Sequence, residues 1–316
     1  MEILTFLQNI TKNSRISLVI TTKNGYCVPI MKIRLYAVFF IFFLCLFMPA
    51  GLSAAAKISD KAQAEIDGFM TLRMNLAACK TPEEALSEID SYHALHFTGA
   101  DLTSFTGEEK LILENFEVLE IYNYMRKMKG KESEIKGLIR SQYEKNNDWL
   151  SAHKNETISK WLYCTAADML SCNLSYASVT AIMHDGLAVK TYYEKALEQD
   201  PDMSYALTNI AQWYYYAPAF GGGSKSKARS CFEQAVAHAR TNAETYYAKI
   251  FLSQYLFENE AQRGKSATLL ADADAFQPGG HYVEWLRKIN KAGFSLYYYN
   301  VHKLGPADVD KAIGMI

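Results

Sequence analysis

The feature that most constrains the fold is a spacing that occurs twice between residues 189 and 240. Each copy places a small apolar residue, an aromatic ring and a second small residue at i, i+4 and i+7, which lie on one stripe of an α-helix. The copies are Val189, Tyr193 and Ala196, and then Ala228, Phe232 and Ala235. Small side chains let a neighbouring helix approach closely, and the ring fills the space between them. The spacing therefore predicts helices that pack in pairs.

Three further segments extend this pattern. A leading helix before the second copy carries Leu207, Ile210, Ala211 and Tyr214 on one face. A weaker third copy is Ser266, Leu270 and Ala273, followed by Pro278. For the first copy, the leading helix is expected around Asn173, Tyr176, Ala177 and Thr180. We count one good repeat and two partial ones.

These stripes resemble the tetratricopeptide repeat (TPR) family, whose unit is a pair of antiparallel helices. Ala211 and Ala228 are 17 positions apart, against about 12 in the family, and the additional residues fall in the turn at 217–223. The resemblance implies an all-α fold, an antiparallel helix-hairpin (TPR-like) right-handed superhelical array. A capping C-terminal helix, expected over 283–304, would cover the apolar face of the last pair.

Other helices are predicted from local signals. Thr81-Pro82-Glu83-Glu84 and Thr106-Gly107-Glu108-Glu109 are capping boxes, which start helices. Five helices are expected in this part of the chain. They cover 60–79, 82 to about 95, 107 to near Gly130, a segment that ends at about 150, and 155–172. Nothing in these segments alternates with period two, so no β-strand is predicted.

The N-terminal region has the pattern of an export signal. Met31-Lys32-Ile33-Arg34 is basic, residues 35–48 are almost all apolar, and small residues follow. We predict that translation starts at Met31, that 31–56 is a cleaved signal peptide and that the protein is periplasmic; an uncleaved signal anchor is the alternative. We predict that the chain divides into five segments. Residues 1–30 are an N-terminal extension, 31–56 the signal peptide, 57–188 helical hairpins, 189–304 the repeats with the capping helix, and 305–316 a C-terminal tail.

Charge and motifs argue against several classes of function. The net charge is −1 over 316 residues, and the first 56 residues contain five Lys or Arg and one Glu, which leaves about −5 on the remainder; neither value is typical of a nucleic-acid surface. Residues 221–226 fail the phosphate-loop pattern because Lys225 does not follow a glycine. His93 and His96 lack a third metal ligand nearby in sequence.

No group of residues in the sequence is better explained by a catalytic role than by a structural one. His184-Asp185-Gly186 is better explained by a loop or a helix break than by catalysis. The six cysteines form no zinc or CxxC motif, and free thiols are favoured over a disulfide of Cys164 or Cys172 with Cys79 or Cys231. We therefore predict a non-enzyme with no catalytic residue, cofactor or metal.

The candidate partner-binding residues form a second stripe on the helix that carries Leu207. They are Tyr205, Thr208, Gln212, Tyr215 and Tyr216. The TPR resemblance implies that such a stripe lines a concave groove, where aromatic rings give large contact area at low entropy cost. The alternative is that these rings pack against a neighbouring helix.

The repeats and the segment Gly-Ser-Lys-Ser-Lys-Ala-Arg…Cys-Phe-Glu-Gln-Ala, from Gly223 to Ala235, are similar to the periplasmic TPR T-component of TRAP transporters. The resemblance implies a protein partner in the cell envelope, a solute-binding protein of such a system, and a small apolar ligand between the helices. Contact with the membrane is expected only through the signal segment, and no nucleic acid is expected. The alternatives are a generic envelope adaptor without ligand handling and, last, an enzyme of unrecognised type.

Overall fold

The computed structural model describes residues 57–97 and 100–314, and this part of the chain is all-α, with no β-strand. The predictions made for residues 1–56 lie outside it. Its helices are α1 Asp60–Leu76, α2 Pro82–His96, α3 Gly107–Met125, α4 Glu132–Ala152, α5 Lys160–Leu174, α6 Val179–Gln199, α7 Ser204–Tyr216, α8 Lys225–His238, α9 Asn242–Phe257, α10 Arg263–Asp274, α11 His281–Lys291, α12 Leu296–Val301 and α13 Pro306–Ala312. Short 3₁₀ turns lie at Ala100–Ser104, Ala219–Gly221 and Glu260–Gln262.

Three consecutive helix pairs form the second half of this fold. α5 packs on α6, α7 on α8 and α9 on α10, and the second helix of each of the first two pairs also contacts the first helix of the next. Every residue of the three predicted stripes is buried: Val189, Tyr193, Ala196, Ala228, Phe232, Ala235, Ser266, Leu270 and Ala273. The prediction that these stripes are the packing faces of paired helices is confirmed.

The structure corrects two predictions about the first pair. Its leading helix is α5, so the expected positions around Tyr176 and Ala177 lie at the end of α5 and in the turn after it. His184-Asp185-Gly186 is neither a loop nor a break, because it lies inside α6. Residue 189, the predicted domain boundary, is also inside α6. A glycine in a helix costs only about 1 kcal/mol, and the packing of α6 against α5 and α7 outweighs that cost.

The first helix, α1, packs across the leading helices of the array. It contacts α3 and α9, and Phe69 stacks on Phe116 with ring centroids 6.0 Å apart. Trp161 Nε1 on α5 donates to Gln63 Oε1 at 2.9 Å. Each fully buried apolar side chain stabilises the fold by about 1.5–3 kcal/mol. Through its buried side chains, α1 is therefore part of the core.

The starts of three helices are tied together by one capping box, as Thr106 and Glu109 exchange hydrogen bonds at the start of α3. Glu109 also accepts from Ser59 N at 2.6 Å, just before α1. The adjacent Glu108 accepts from Ser159 N at 2.7 Å, just before α5. The capping box predicted at Thr106 is confirmed, and Glu108 and Glu109 also align neighbouring helices. The one predicted at Thr81 is incomplete, because Thr81 Oγ1 accepts from Glu84 N while the Glu84 carboxylate accepts from Lys80 N instead.

The inserted turn at 217–223 is closed by backbone hydrogen bonds. Gly223 N donates to Pro218 O at 3.0 Å, and Ser224 N donates to Tyr214 O at 2.9 Å. A Cβ on Gly223 would lie 1.8 Å from Ala217 O, and Gly222 has φ +95°. The turn therefore requires glycine at these two positions, and it leaves α7 and α8 paired.

The predicted single closing helix over 283–304 is wrong. Gly293 adopts φ +88°, which ends α11 two residues earlier, and Ser295 then caps α12 by accepting from Tyr298 N. The glycine lets the chain turn so that Leu296 and Tyr297 are buried.

In the part of the chain that the structure describes, no helix is both long and apolar enough to cross a membrane.

Ala228 tests the helix pairing. Ala228→Leu should overpack the contact between α7 and α8 and lower the free energy of unfolding by about 1–3 kcal/mol, because Ala228 is fully buried. Ala219→Leu, in the exposed inserted turn, is the control and should be close to neutral. Urea denaturation gives both values, and equal midpoints would contradict the packing described here.

Candidate binding cleft

The inner cleft is the surface on which α1 meets the leading helices α3, α5, α7 and α9. Two predicted groove residues, Tyr205 and Thr208, are buried there. The Tyr205 ring packs edge-on against Phe116 at 5.7 Å. Both residues therefore pack against neighbouring helices, which is the alternative given in the sequence analysis, and do not line an open groove.

We call Arg73, Asp168, Tyr205 and Tyr247 the closed end of this cleft, and Asp168 is its polar centre. Its carboxylate accepts from Tyr193 Oη at 2.5 Å and from Tyr205 Oη at 2.6 Å. Burial raises the pKa of Asp168 to about 6, while the two tyrosine hydrogen bonds and the charge of Arg73 oppose the rise. Asp168 thereby links α5 to both α6 and α7.

Arg73 enters the same space from α1. Its Nε lies 3.2 Å from Glu120 Oε1 on α3, and its guanidinium lies 4.9 Å from the centroid of the Tyr247 ring on α9. Burial raises the pKa of Glu120, against the opposing charge of Arg73. Tyr247 Oη also donates to the Arg73 carbonyl oxygen at 2.7 Å. One side chain of α1 thus joins α3 to α9.

The space left beside Arg73 is small. A cavity of about 20 Å³ is lined by Met70, Arg73, Ser204, Tyr205, Thr208, Asn209, Glu244, Tyr247 and Phe251. A water molecule needs at least about 10–15 Å³ of such volume. The closed end of the cleft therefore has room for a water molecule and not for a metabolite.

Tyr215 also packs within the fold. It is 9% exposed, stacks on Tyr297 at 4.3 Å and donates to Glu258 Oε1 at 2.5 Å. Lys225 Nζ lies over its ring, 2.8 Å from the centroid. This tyrosine fastens α7 to α12 and to the end of α9, rather than facing an open groove.

The remaining groove candidates, Gln212 and Tyr216, are more accessible. Gln212 is half-buried, and Tyr216 is 44% exposed. Tyr216 Oη accepts from Asn300 Nδ2 at 3.3 Å. Burial raises the pKa of Tyr216, and the hydrogen bond from Asn300 and then the charge of Arg126, at the end of α3, counter the rise. We call Arg126, Gln212, Tyr216 and the half-buried Tyr282 the open mouth of the cleft.

Sequence reasoning missed the charged members of the cleft. Arg73, Glu120 and Asp168 lie on three helices, and no spacing within any one helix links them. A charged residue on a strongly apolar helix could have indicated a buried polar site, because buried charges need partners. Asp168 fits that description, since α5 is otherwise largely apolar around it.

The other chemistry-bearing residues have ordinary structural partners. His93 Nδ1 lies 2.6 Å from Glu117 Oε1, and His96 Nδ1 lies 3.2 Å from Glu65 Oε2. Among the described residues, no three His, Cys, Asp or Glu side chains converge on a metal site. The cysteines in that part of the chain, Cys79, Cys164, Cys172 and Cys231, are unpaired thiols.

The raised pKa of Asp168 gives a pH prediction. In the unfolded chain an Asp titrates near about 3.9, so this group's stabilisation is fully present below about pH 4 and is lost as the pH rises through about 6. Asp168→Asn does not titrate. The unfolding free energy of the parent minus that of the variant should fall by roughly 2–3 kcal/mol from pH 4 to pH 7.

Denaturation of both proteins across that pH range measures this difference. Asp67→Asn, on the exposed side of α1, is the matched control and should follow the parent at every pH. A difference between the parent and Asp168→Asn that stays constant with pH would contradict the assignment.

The two neighbouring tyrosines give a second prediction. Tyr215→Ala should lose about 3–5 kcal/mol, as expected for truncation of a large buried aromatic ring, together with its bond to Glu258. Tyr216→Ala should stay within about 1 kcal/mol of the parent, since Tyr216 is 44% exposed and the truncation leaves no closed cavity. Urea midpoints compare them, and equal losses would show that both rings are core.

Comparison of the sequence with models of known protein families gives no match. Comparison with curated proteins gives no similar sequence either.

Proposed function

We propose that this chain is an exported, non-enzymatic scaffold that binds a protein partner in the periplasm. In this proposal the hairpins form a TPR-like right-handed superhelical array, and the open mouth receives the partner. The observation that supports it is the exposure of two side chains: Tyr216, which stays 44% exposed while its neighbour Tyr215 is packed, and Arg126 at the end of α3. Exposed tyrosine and arginine side chains are typical of protein interfaces.

The cavity favours a protein partner over a small molecule inside the cleft. Ligand pockets usually measure about 300–1,000 Å³, whereas the closed end offers about 20 Å³. An extended segment of a partner needs only the surface around the mouth. We therefore propose a protein partner at the mouth and no small apolar ligand inside the cleft.

The partner named by the sequence resemblance is a solute-binding protein of a TRAP-type system. That part of the proposal depends on export, which is predicted from residues 31–56. A generic envelope adaptor is the second candidate. Genes for a solute-binding protein and a permease beside this gene would favour the first candidate over the second.

The test truncates the exposed ring of the mouth. Tyr216→Ala should weaken binding of the purified solute-binding protein encoded by the neighbouring gene by about tenfold, or about 1.4 kcal/mol, because the exposed part of the ring loses its contact with water only in the complex. Titration calorimetry with the full exported chain measures the affinity. Gln212→Ala should weaken binding less, since it removes a smaller contact.

The control is Tyr298→Ala on α12, because Tyr298 is 43% exposed, like Tyr216, but lies outside the mouth. It should leave the affinity unchanged. Equal affinities for the parent and Tyr216→Ala, or equal losses in Tyr216→Ala and Tyr298→Ala, would reject the mouth as the binding surface. Absence of binding to the solute-binding protein would reject that partner.

A further inference from the structure

A second pocket lies on another surface, where α4 faces the end of α5 and the turn that follows it. Its volume is about 300 Å³, at the lower end of the usual range for small-molecule sites. Its lining residues are Lys136, Arg140, Tyr143, Glu144, Asn173, Tyr176 and Ala177. None of them belongs to the closed end or the open mouth of the inner cleft, so this site is independent of the proposed function.

The charge of this pocket is positive. Lys136 and Arg140 are four residues apart on α4, which places them side by side on one helical face. Arg140 Nε donates to Glu144 Oε1 at 2.9 Å. No hydrogen bond or ion pair to a described residue occupies the terminal guanidinium nitrogens or Lys136 Nζ. With two cations and one carboxylate, the lining carries a net charge of about +1.

The walls of the pocket are aromatic. Tyr143 and Tyr176 are both half-buried, so each ring keeps part of its surface accessible. Tyr176 is held edge-on by Tyr122, with centroids 6.5 Å apart and ring planes at 85°. Ala177 adds a small side chain to the lining, and the Asn173 amide adds a polar group.

We propose that this pocket binds a small aromatic monocarboxylate. The carboxylate would lie between the Lys136 and Arg140 side chains, whose charge-assisted hydrogen bonds are the stronger kind. The ring would pack against Tyr143 and Tyr176. A single negative charge matches the net charge of the lining, whereas a dianion such as phosphate would leave one charge uncompensated beside Glu144.

The probe for this proposal is 4-hydroxybenzoate, titrated into the full chain by calorimetry. The double variant Lys136→Ala/Arg140→Ala should reduce the association constant at least tenfold. Both side chains are exposed, so thermal melting should show that the variant remains folded.

The control is the double variant Arg229→Ala/Lys265→Ala. Arg229 Nε pairs with Glu233 at 3.0 Å in the same i, i+4 arrangement as Arg140 with Glu144, and Lys265 is an exposed lysine elsewhere. This variant should bind the probe like the parent. An equal loss in the two double variants would show that the effect is non-specific and would overturn the site.

Three related probes separate the parts of the proposal. Acetate carries the charge without the ring, and 4-hydroxybenzyl alcohol carries the ring without the charge; both should bind at least tenfold more weakly than 4-hydroxybenzoate. Inorganic phosphate should also bind more weakly. The proposal is overturned if any of the three binds as tightly as 4-hydroxybenzoate, or if 4-hydroxybenzoate does not bind. Tyr216→Ala should leave this binding unchanged, whatever its effect on the protein partner.

Discussion

The inner surface of the helix array depends on one ion pair, between the half-buried Arg73 of α1 and the buried Glu120 of α3. Removing two charges from water costs several kcal/mol per ion, and their attraction offsets this only with good geometry and further polar contacts. The Tyr247 ring under the guanidinium supplies one such contact. Since these groups come from α1, α3 and α9, the pair persists only when all three helices hold their positions.

The first helix is fixed at both ends by groups that also serve other helices. Glu109 caps α3 and accepts from Ser59 N before α1, while Tyr282 N donates to Ala77 O just after α1. Between these points Phe69 and Ile66 are buried in the core. Segments far apart in sequence are thereby joined through α1, which explains why the leading helices enclose it rather than an open channel.

The features predicted from sequence are those set by local spacing. The stripe that includes Phe232 and the cap at Thr106 need only neighbouring residues, so both could be predicted. The position of α1 could not, because Arg73 and Tyr247 are 174 residues apart and no spacing signals their contact. The predicted closing helix failed at Gly293, since an apolar stripe does not show which glycine will adopt a positive φ.

The same long-range packing decides which predicted groove residues stay accessible. Tyr205 packs against Phe116 and is buried, whereas Tyr216 lies at the last position of α7 and is 44% exposed. One helical turn rises about 5.4 Å. The three turns between Tyr205 and Tyr216 therefore separate the two residues along α7, with Tyr205 in the closed end and Tyr216 in the open mouth. The position of each tyrosine along α7, more than its residue type, therefore decides how much of its surface stays accessible.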